Sequence, residues 1–152
     1  MLLNVQTDLR DQSSCSLVYE EQEGWLEATW RGFVDAAEAR LGADAYLHYA
    51  AAVPCPYLLN NNASLRGPWF DSLDWLLAAW VPQAARLGLR YVAHIVQADR
   101  HTDIFTEHEH SHIKLPFELQ LFQDEQAARE WLRAMRDAPG RQQPGKQEIL
   151  ND

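Results

Sequence analysis

The stretch DWLLAAWVPQAARLGLRYVAHIV, Asp74 to Val96, decides the fold. A helical pattern runs into a glycine, and a strand pattern follows at once. Upstream and within it, Phe70, Leu73, Leu76, Leu77, Trp80 and Ala84 are spaced by three and four. That spacing predicts a helix from about Trp69 to Leu87 with one apolar face. Asp71 or Ser72 is placed to cap its first turn. Pro82 has no backbone N–H and crowds the carbonyl of Ala78, so a kink or break is expected there. Gly88 is a C-cap candidate. Arg90 to Gln97, rich in β-branched and aromatic residues, is the clearest strand of the chain.

Working back toward the N-terminus, PYLLNNN reads as a second buried strand. Tyr57 to Leu59 is a short apolar run, and Asn60, Asn61, Asn62 and Ser64 are expected to end it in a polar loop. Before it, Val34, Leu41, Ala45, Tyr49 and Ala52 fall at helical spacing. They predict a helix from Val34 to about Ala51, weakened by Gly42 and stopped by Pro54 and Pro56. Earlier still, Leu2 to Leu9, Ser16 to Glu20 and Trp25 to Trp30 have strand patterns, with Glu23-Gly24 as a hairpin turn. In Trp25 to Trp30 the set Leu26, Ala28 and Trp30 is the better core face.

Toward the C-terminus, Phe117 to Phe122 alternates as a strand. Asp124 then caps a last helix with Ala127, Ala128, Trp131, Leu132 and Met135 on one face. From Pro139 the chain turns to Pro, Gly, Gln and charge, so residues 138–152 are expected to be a flexible tail and 1–137 a single domain. Alternation of strands and helices argues an α/β sandwich with a partly parallel sheet.

Composition narrows the function classes. The 152 residues suit one domain with its own core. A formal net charge of −9 disfavours a nucleic-acid partner, because phosphate binding relies on Lys and Arg. The N-terminus MLLNVQTDLR lacks a secretory pattern, and WLLAAWV, the longest apolar run, is too short to span a bilayer. A cytoplasmic protein without membrane insertion is expected. Its two cysteines, Cys15 and Cys55, form no metal or redox motif and read as reduced thiols. Six Trp, five Tyr and five Phe must fill a core or line a surface.

Taken in order, these pieces resemble the STAS-like domains, the family similar to sporulation anti-sigma-factor antagonists. The residues that carry the resemblance are ATWRGFV, YLLNNNASL, DWLLAAWVPQAARLGLRYVAHIV and LQLFQDEQAAREWL. They lie within the stretch from Gly24 to Leu132, which is the part that resembles the family. The resemblance implies a mixed sheet of four to six strands with three to four helices against it. It also implies a regulatory, protein-binding role, switched in some relatives by a phosphorylated serine at the start of the helix after the buried strand. Here the matching region holds Ser64 and Ser72. Ser72 is the phosphoacceptor candidate, although Asp71 and Asp74 flank it and the family's small residue and Gly do not follow. The plainer role for Ser72 is a first-turn residue of the helix.

The remaining candidates come from side-chain chemistry. In TEHEHSHIKLP, His108, His110 and His112 share one face if the segment is a strand, and His108 and His112 form an i, i+4 pair if it is a helix. His101 and His94 are near in sequence. Zinc needs three or four converging ligands, and no nearby Cys completes such a set, so a solvated connection is the plainer reading. His48 is expected to be partly buried packing, and His94 a satisfied strand histidine. Asn60, Asn61 and Asn62 lie at the strand end where α/β sheets bind ligands. Trp69 and Trp75 are interface candidates, Trp75 projecting away from the apolar face. No nucleophile–base pair or phosphate loop is legible.

The expected function is therefore a non-enzymatic regulatory or protein-interaction module, a homodimer with a possible regulatory protein partner and no cofactor. The alternative is a carrier for a small apolar or lipid-like ligand, held in a pocket between sheet and helices. A metal-dependent enzyme using the His segment comes third.

Overall fold

A computed structural model describes residues 1–7, 12–67, 73–98 and 114–138. Among these residues six strands form one sheet in the order β1-β2-β3-β4-β5-β6. They are β1 (Leu2–Thr7), β2 (Ser14–Glu20), β3 (Trp25–Gly32), β4 (Tyr57–Leu65), β5 (Tyr91–Ile95) and β6 (Glu118–Phe122). β1 to β3 are joined antiparallel, and β3 to β6 run parallel. The mixed sheet expected from the alternation of elements is the sheet observed.

The β2–β3 hairpin closes where Glu23-Gly24 predicts. Gly24 has φ +78°, and its N–H donates to the carbonyl of Glu20 over 2.7 Å. Helix α1 (Ala36–Ala52) crosses from β3 to β4. Asp35 caps it, its side chain accepting from the N–H of Glu38. From β4 the chain returns to β5 through α2 (Leu73–Trp75), a π-helical turn (Leu76–Trp80) and α3 (Val81–Arg86). Both crossovers step the same way along the sheet. Right-handed crossovers then put both helical segments on one face. Helix α4 (Glu125–Asp137) follows β6 and packs on β5, β4 and β6. Asp124 Oδ1 caps it at 2.8 Å from the N–H of Ala127, as the sequence predicts.

Both faces of the sheet are thus covered. Leu26, Ala28 and Trp30 are buried, as expected, but Trp25 on the opposite face is fully buried as well. It lies under α4, with the guanidinium carbons of Arg129 and Arg136 at 6.0 and 5.9 Å from its ring centroid. On the same face Tyr57 and Tyr91 stack at 5.7 Å across paired strands, and Trp131 meets Tyr91 and Phe122 edge-on and tilted. Parallel strands covered on both sides are apolar on both sides. One-sided alternation therefore understates the core.

Several expectations are corrected. The buried face of α1 is Ala39, Gly42, Ala43, Tyr46 and Ala50, whereas Leu41 is 56% exposed. Small residues face inward because α1 sits against the bulky Trp30. A Cβ on Gly42 would lie 2.4 Å from the Trp30 ring, so Gly42 is a packing requirement rather than a weak point. His48 is exposed, edge-on to Tyr49 at 5.1 Å, not partly buried. Asn60, Asn61, Asn62 and Ser64 belong to β4, not to a loop after it.

Pro82 disturbs its helix as predicted, but in a specific way. The backbone stays helical through Trp80 and Val81, and the N–H of Val81 bonds to the carbonyl of Leu76, five residues back. The widened turn places the disruption one residue before the proline, and the side chain of Gln83 donates to the carbonyl of Ala79 over 2.8 Å. Gly88, at φ +110°, ends α3 as expected.

Candidate functional site

β4 is the central strand of the site, and its polar residues enter the core in one row. Tyr57-Leu58-Leu59-Asn60 pairs in register with Tyr91-Val92-Ala93-His94 of β5. Asn60 and His94 therefore stand side by side. Trp30 on β3 completes the row. Its Nε1–H donates to Asn60 Oδ1 over 2.9 Å, inside the protein.

That bond settles the rest of the network. Indole N–H can only donate, so Oδ1 of Asn60 is the atom facing Trp30. The amino group of Asn60 then donates to Nδ1 of His94 at 2.9 Å and to Oδ1 of Asn62 at 3.1 Å. His94 accepts at Nδ1, so its ring hydrogen sits on Nε2. Asn62 faces Asn60 with its oxygen, so its own amino group points elsewhere. Asn62 is fully buried, and Nδ2 makes no hydrogen bond. An orphaned buried donor costs about 1–3 kcal/mol.

A β-bulge follows the polar row. Between Thr29↔Asn61 and Arg31↔Ser64, β3 advances two residues while β4 advances three. Asn60 and Asn62 share a face by the two-residue period of a strand, and the extra residue resets the alternation so that Leu65 rather than Ser64 returns to the core. Asn61 points the other way, and its Oδ1 accepts from the N–H of Ala63 at 3.0 Å. Ser64 is exposed.

The row of polar side chains bounds a cavity of about 50 Å³ between the sheet and the helices. The sheet supplies Ala28, Trp30, Leu58, Asn60, Val92, His94 and Leu119. Tyr46, Gly42 and Ala43 of α1 form a second wall, with Leu76, Trp80 and Val81 as the roof, and Phe117 nearby. Trp80 ties roof to wall, its Nε1 donating to the carbonyl of Ala43 over 3.2 Å. Its ring lies 5.3 Å from Tyr46 and edge-on to Phe117 at 6.4 Å. Among the described residues, no Lys, Arg, Asp or Glu is in this lining.

Of the residues singled out from sequence, the structure brings together Asn60, Asn62 and His94. It leaves Asn61 and Ser64 outside. Trp75 is half-buried, with the Arg40 guanidinium 5.2 Å from its ring centroid, rather than projecting free. Ser72, Trp69, His101, His108, His110 and His112 lie outside the described residues, as does the expected tail from residue 139 on. Among the described residues no group of three or more His, Cys, Asp or Glu is placed to hold a metal. Nor is any helix long and apolar enough to cross a membrane. Sequence reading missed Trp30, Tyr46, Trp80 and Phe117 as a common wall. One signal was available: Tyr57-x-x-Asn60 and Tyr91-x-x-His94 put a polar residue at the same place in two buried strands.

Fold and site together define an α/β protein with a mixed six-stranded sheet and a small internal pocket at its polar row. Among solved structures the chain is similar to an uncharacterised protein of the DUF3478 family from Shewanella loihica, described as having a SpoIIAA-like fold. The likeness has 17% identity, covers 84% of this chain and 98% of that one, and has a TM-score of 0.49. No family model and no curated protein matches the chain.

Proposed function

We propose that this protein is a non-enzymatic regulatory module that takes a small uncharged molecule between its sheet and its helices. The observation that supports this most directly is the pocket. It lies where a carrier would need it, and aromatic rings wall it on three sides. Its size sets the class of ligand. Drug-sized pockets start at about 300 Å³. A space of about 50 Å³ does not suit a lipid-like molecule and suits one of a few heavy atoms. The uncharged lining favours a neutral ligand, because burying a lone charge is costly.

Readout runs through the roof. Leu76, Trp80 and Val81 belong to the π turn and its junction with α3, and π turns are often found at functional sites. Displacing Trp80 would shift the outer surface of the same helical segment, where Trp75 and Arg40 stack. A protein partner, including a second copy of this chain, would read that surface.

A screen of neutral fragments of three to eight heavy atoms against ¹⁵N-labelled protein tests the reading. Saturable shifts of the Trp30 and Trp80 indole N–H signals are expected. Shifts confined to surface amides would remove the pocket from the account. Sedimentation velocity at rising concentration tests the second copy as partner, and a monomer throughout would exclude it.

A further inference from the structure

Of the large apolar side chains exposed among the described residues, half are Met1, Leu2 and Val5, at the start of the chain. Leu2 and Val5 belong to β1, an edge of the sheet, and among the described residues no strand lies beyond it. Met1 bonds to Tyr19 through both its amino group and its carbonyl. By the alternation of an antiparallel ladder, Leu2 then turns its own N–H and C=O to the open edge. The irregularity between Leu2 and Asn4 puts Leu2 and Val5 on one face, opposite Val18 and Ser16 of β2. Cys15 and Leu17 alternate with those two residues and are buried on the side of α1. On the other side α4 packs on β5, β4 and β6, and Leu2 and Val5 remain exposed.

Proteins guard an open edge with charge or proline, because an unpaired edge accepts another strand. The opposite edge, β6, carries exposed Glu118. β1, with the sequence LLNVQT, has no charge and no proline, and beyond the bulge at its start Asn4 to Thr7 pair regularly. We infer that β1 is the edge along which two copies of this chain join, antiparallel about a two-fold axis, into one continuous sheet. Copies with a net charge of −9 repel one another over most of their surface, and β1 lets them meet where neither brings a charged side chain. Residues paired across adjoining strands share a face, so the two-fold joins the Leu2 and Val5 side chains of both copies into one apolar stripe. Six residues from each copy bury less than the about 1,200 Å² of a standard interface, so the dimer is reversible.

This edge is separate from the pocket and from the surface around Trp75, so its failure leaves the pocket reading intact. Sedimentation velocity of the full chain at rising concentration is expected to show a monomer passing to a dimer. Val5→Lys and Val5→Glu are each expected to raise the dissociation constant at least roughly tenfold, by setting like charges near the two-fold. An equal mixture of the two variants is expected to restore the dimer. Val5 is exposed, so both variants are expected to keep the fold. Amide hydrogen exchange on the unaltered protein gives a second readout, in which β1 amides slow as concentration rises. A monomer at every concentration would overturn the inference. So would a dimer that Val5→Lys leaves intact, a mixture that stays monomeric, or slow β1 exchange that does not depend on concentration.

Discussion

The indole N–H of Trp30 on β3 is bonded to the side-chain oxygen of Asn60 on β4 over 2.9 Å. Through that one contact the orientation of the whole polar row is determined. Removing Asn60 strands more groups than removing any other member, because it serves Trp30, His94 and Asn62 at once. Asn60→Leu is expected to destabilise by about 3 kcal/mol or more. Trp30→Phe strands only the Asn60 oxygen, and that part of its effect is about 1–3 kcal/mol. Urea unfolding of both single variants and the double variant measures the coupling, and additive effects would mean that the bond contributes nothing of its own.

Gly42 faces the same indole from α1. Glycine to alanine in a helix interior ordinarily stabilises by about 1 kcal/mol. Here the added Cβ would lie 2.4 Å from the Trp30 ring and 3.0 Å from Cys15 Sγ. Overpacking of that kind costs about 1–3 kcal/mol. Gly42→Ala is therefore expected to be destabilising overall and to narrow the pocket. A rise in the melting temperature would show that the wall between α1 and Trp30 is soft.

The core also sets an alkaline limit. Burial pushes the Cys15 thiol up to about 12, and burial raises Tyr46 and Cys55 as well. An unfolded thiol releases its proton near about pH 8.5, whereas folded Cys15 keeps its proton until about 12. Between those values the unfolded state holds fewer protons, so stability falls as pH rises. The contribution is intact below about pH 8.5, and its loss approaches 1.4 kcal/mol per pH unit per group. Urea midpoints from pH 7 to 10.5 should decline, less steeply for Cys15→Ala. A flat profile, or alkylation of native Cys15 at pH 8, would contradict the burial.

On the other face, Glu27 Oε1 is shared. It accepts from Trp25 Nε1 at 3.0 Å and pairs with Arg129 Nη1 at 2.6 Å. The ion pair is partly exposed, so its charge alone contributes about 1 kcal/mol or less. The buried indole donor matters more. Glu27→Gln keeps an acceptor and is expected to cost under about 1 kcal/mol. Glu27→Leu removes it and is expected to cost about 2 kcal/mol. Chemical unfolding that finds the leucine variant the more stable of the two would assign Glu27 to surface electrostatics only.

Much of the architecture was legible along the chain because it depends on local spacing. Three-and-four spacing, the Asp124 cap, the Glu23-Gly24 turn, the Gly88 stop and the apolar runs of β4 and β5 each act within a few residues. They determined the type and order of the described elements, and with them a mixed α/β sheet. They also determined that Pro82 would disturb its helix, since a missing N–H is a property of the residue itself.

The site depended on distance in the other sense. Trp30, Asn60 and His94 are separated by 30 and 34 residues, and only sheet register brings them together. The burial of both sheet faces depended on α4 returning over Trp25, and the inward turn of Gly42 on the bulk of Trp30. An asparagine run reads locally as loop, because Asn favours turns and left-handed backbone. In the folded chain Trp30 and His94 on the neighbouring strands satisfy Asn60, and the two-residue alternation of β4 puts Asn62 inside as well. Whether such a residue is solvated or buried is decided by partners that only tertiary structure supplies.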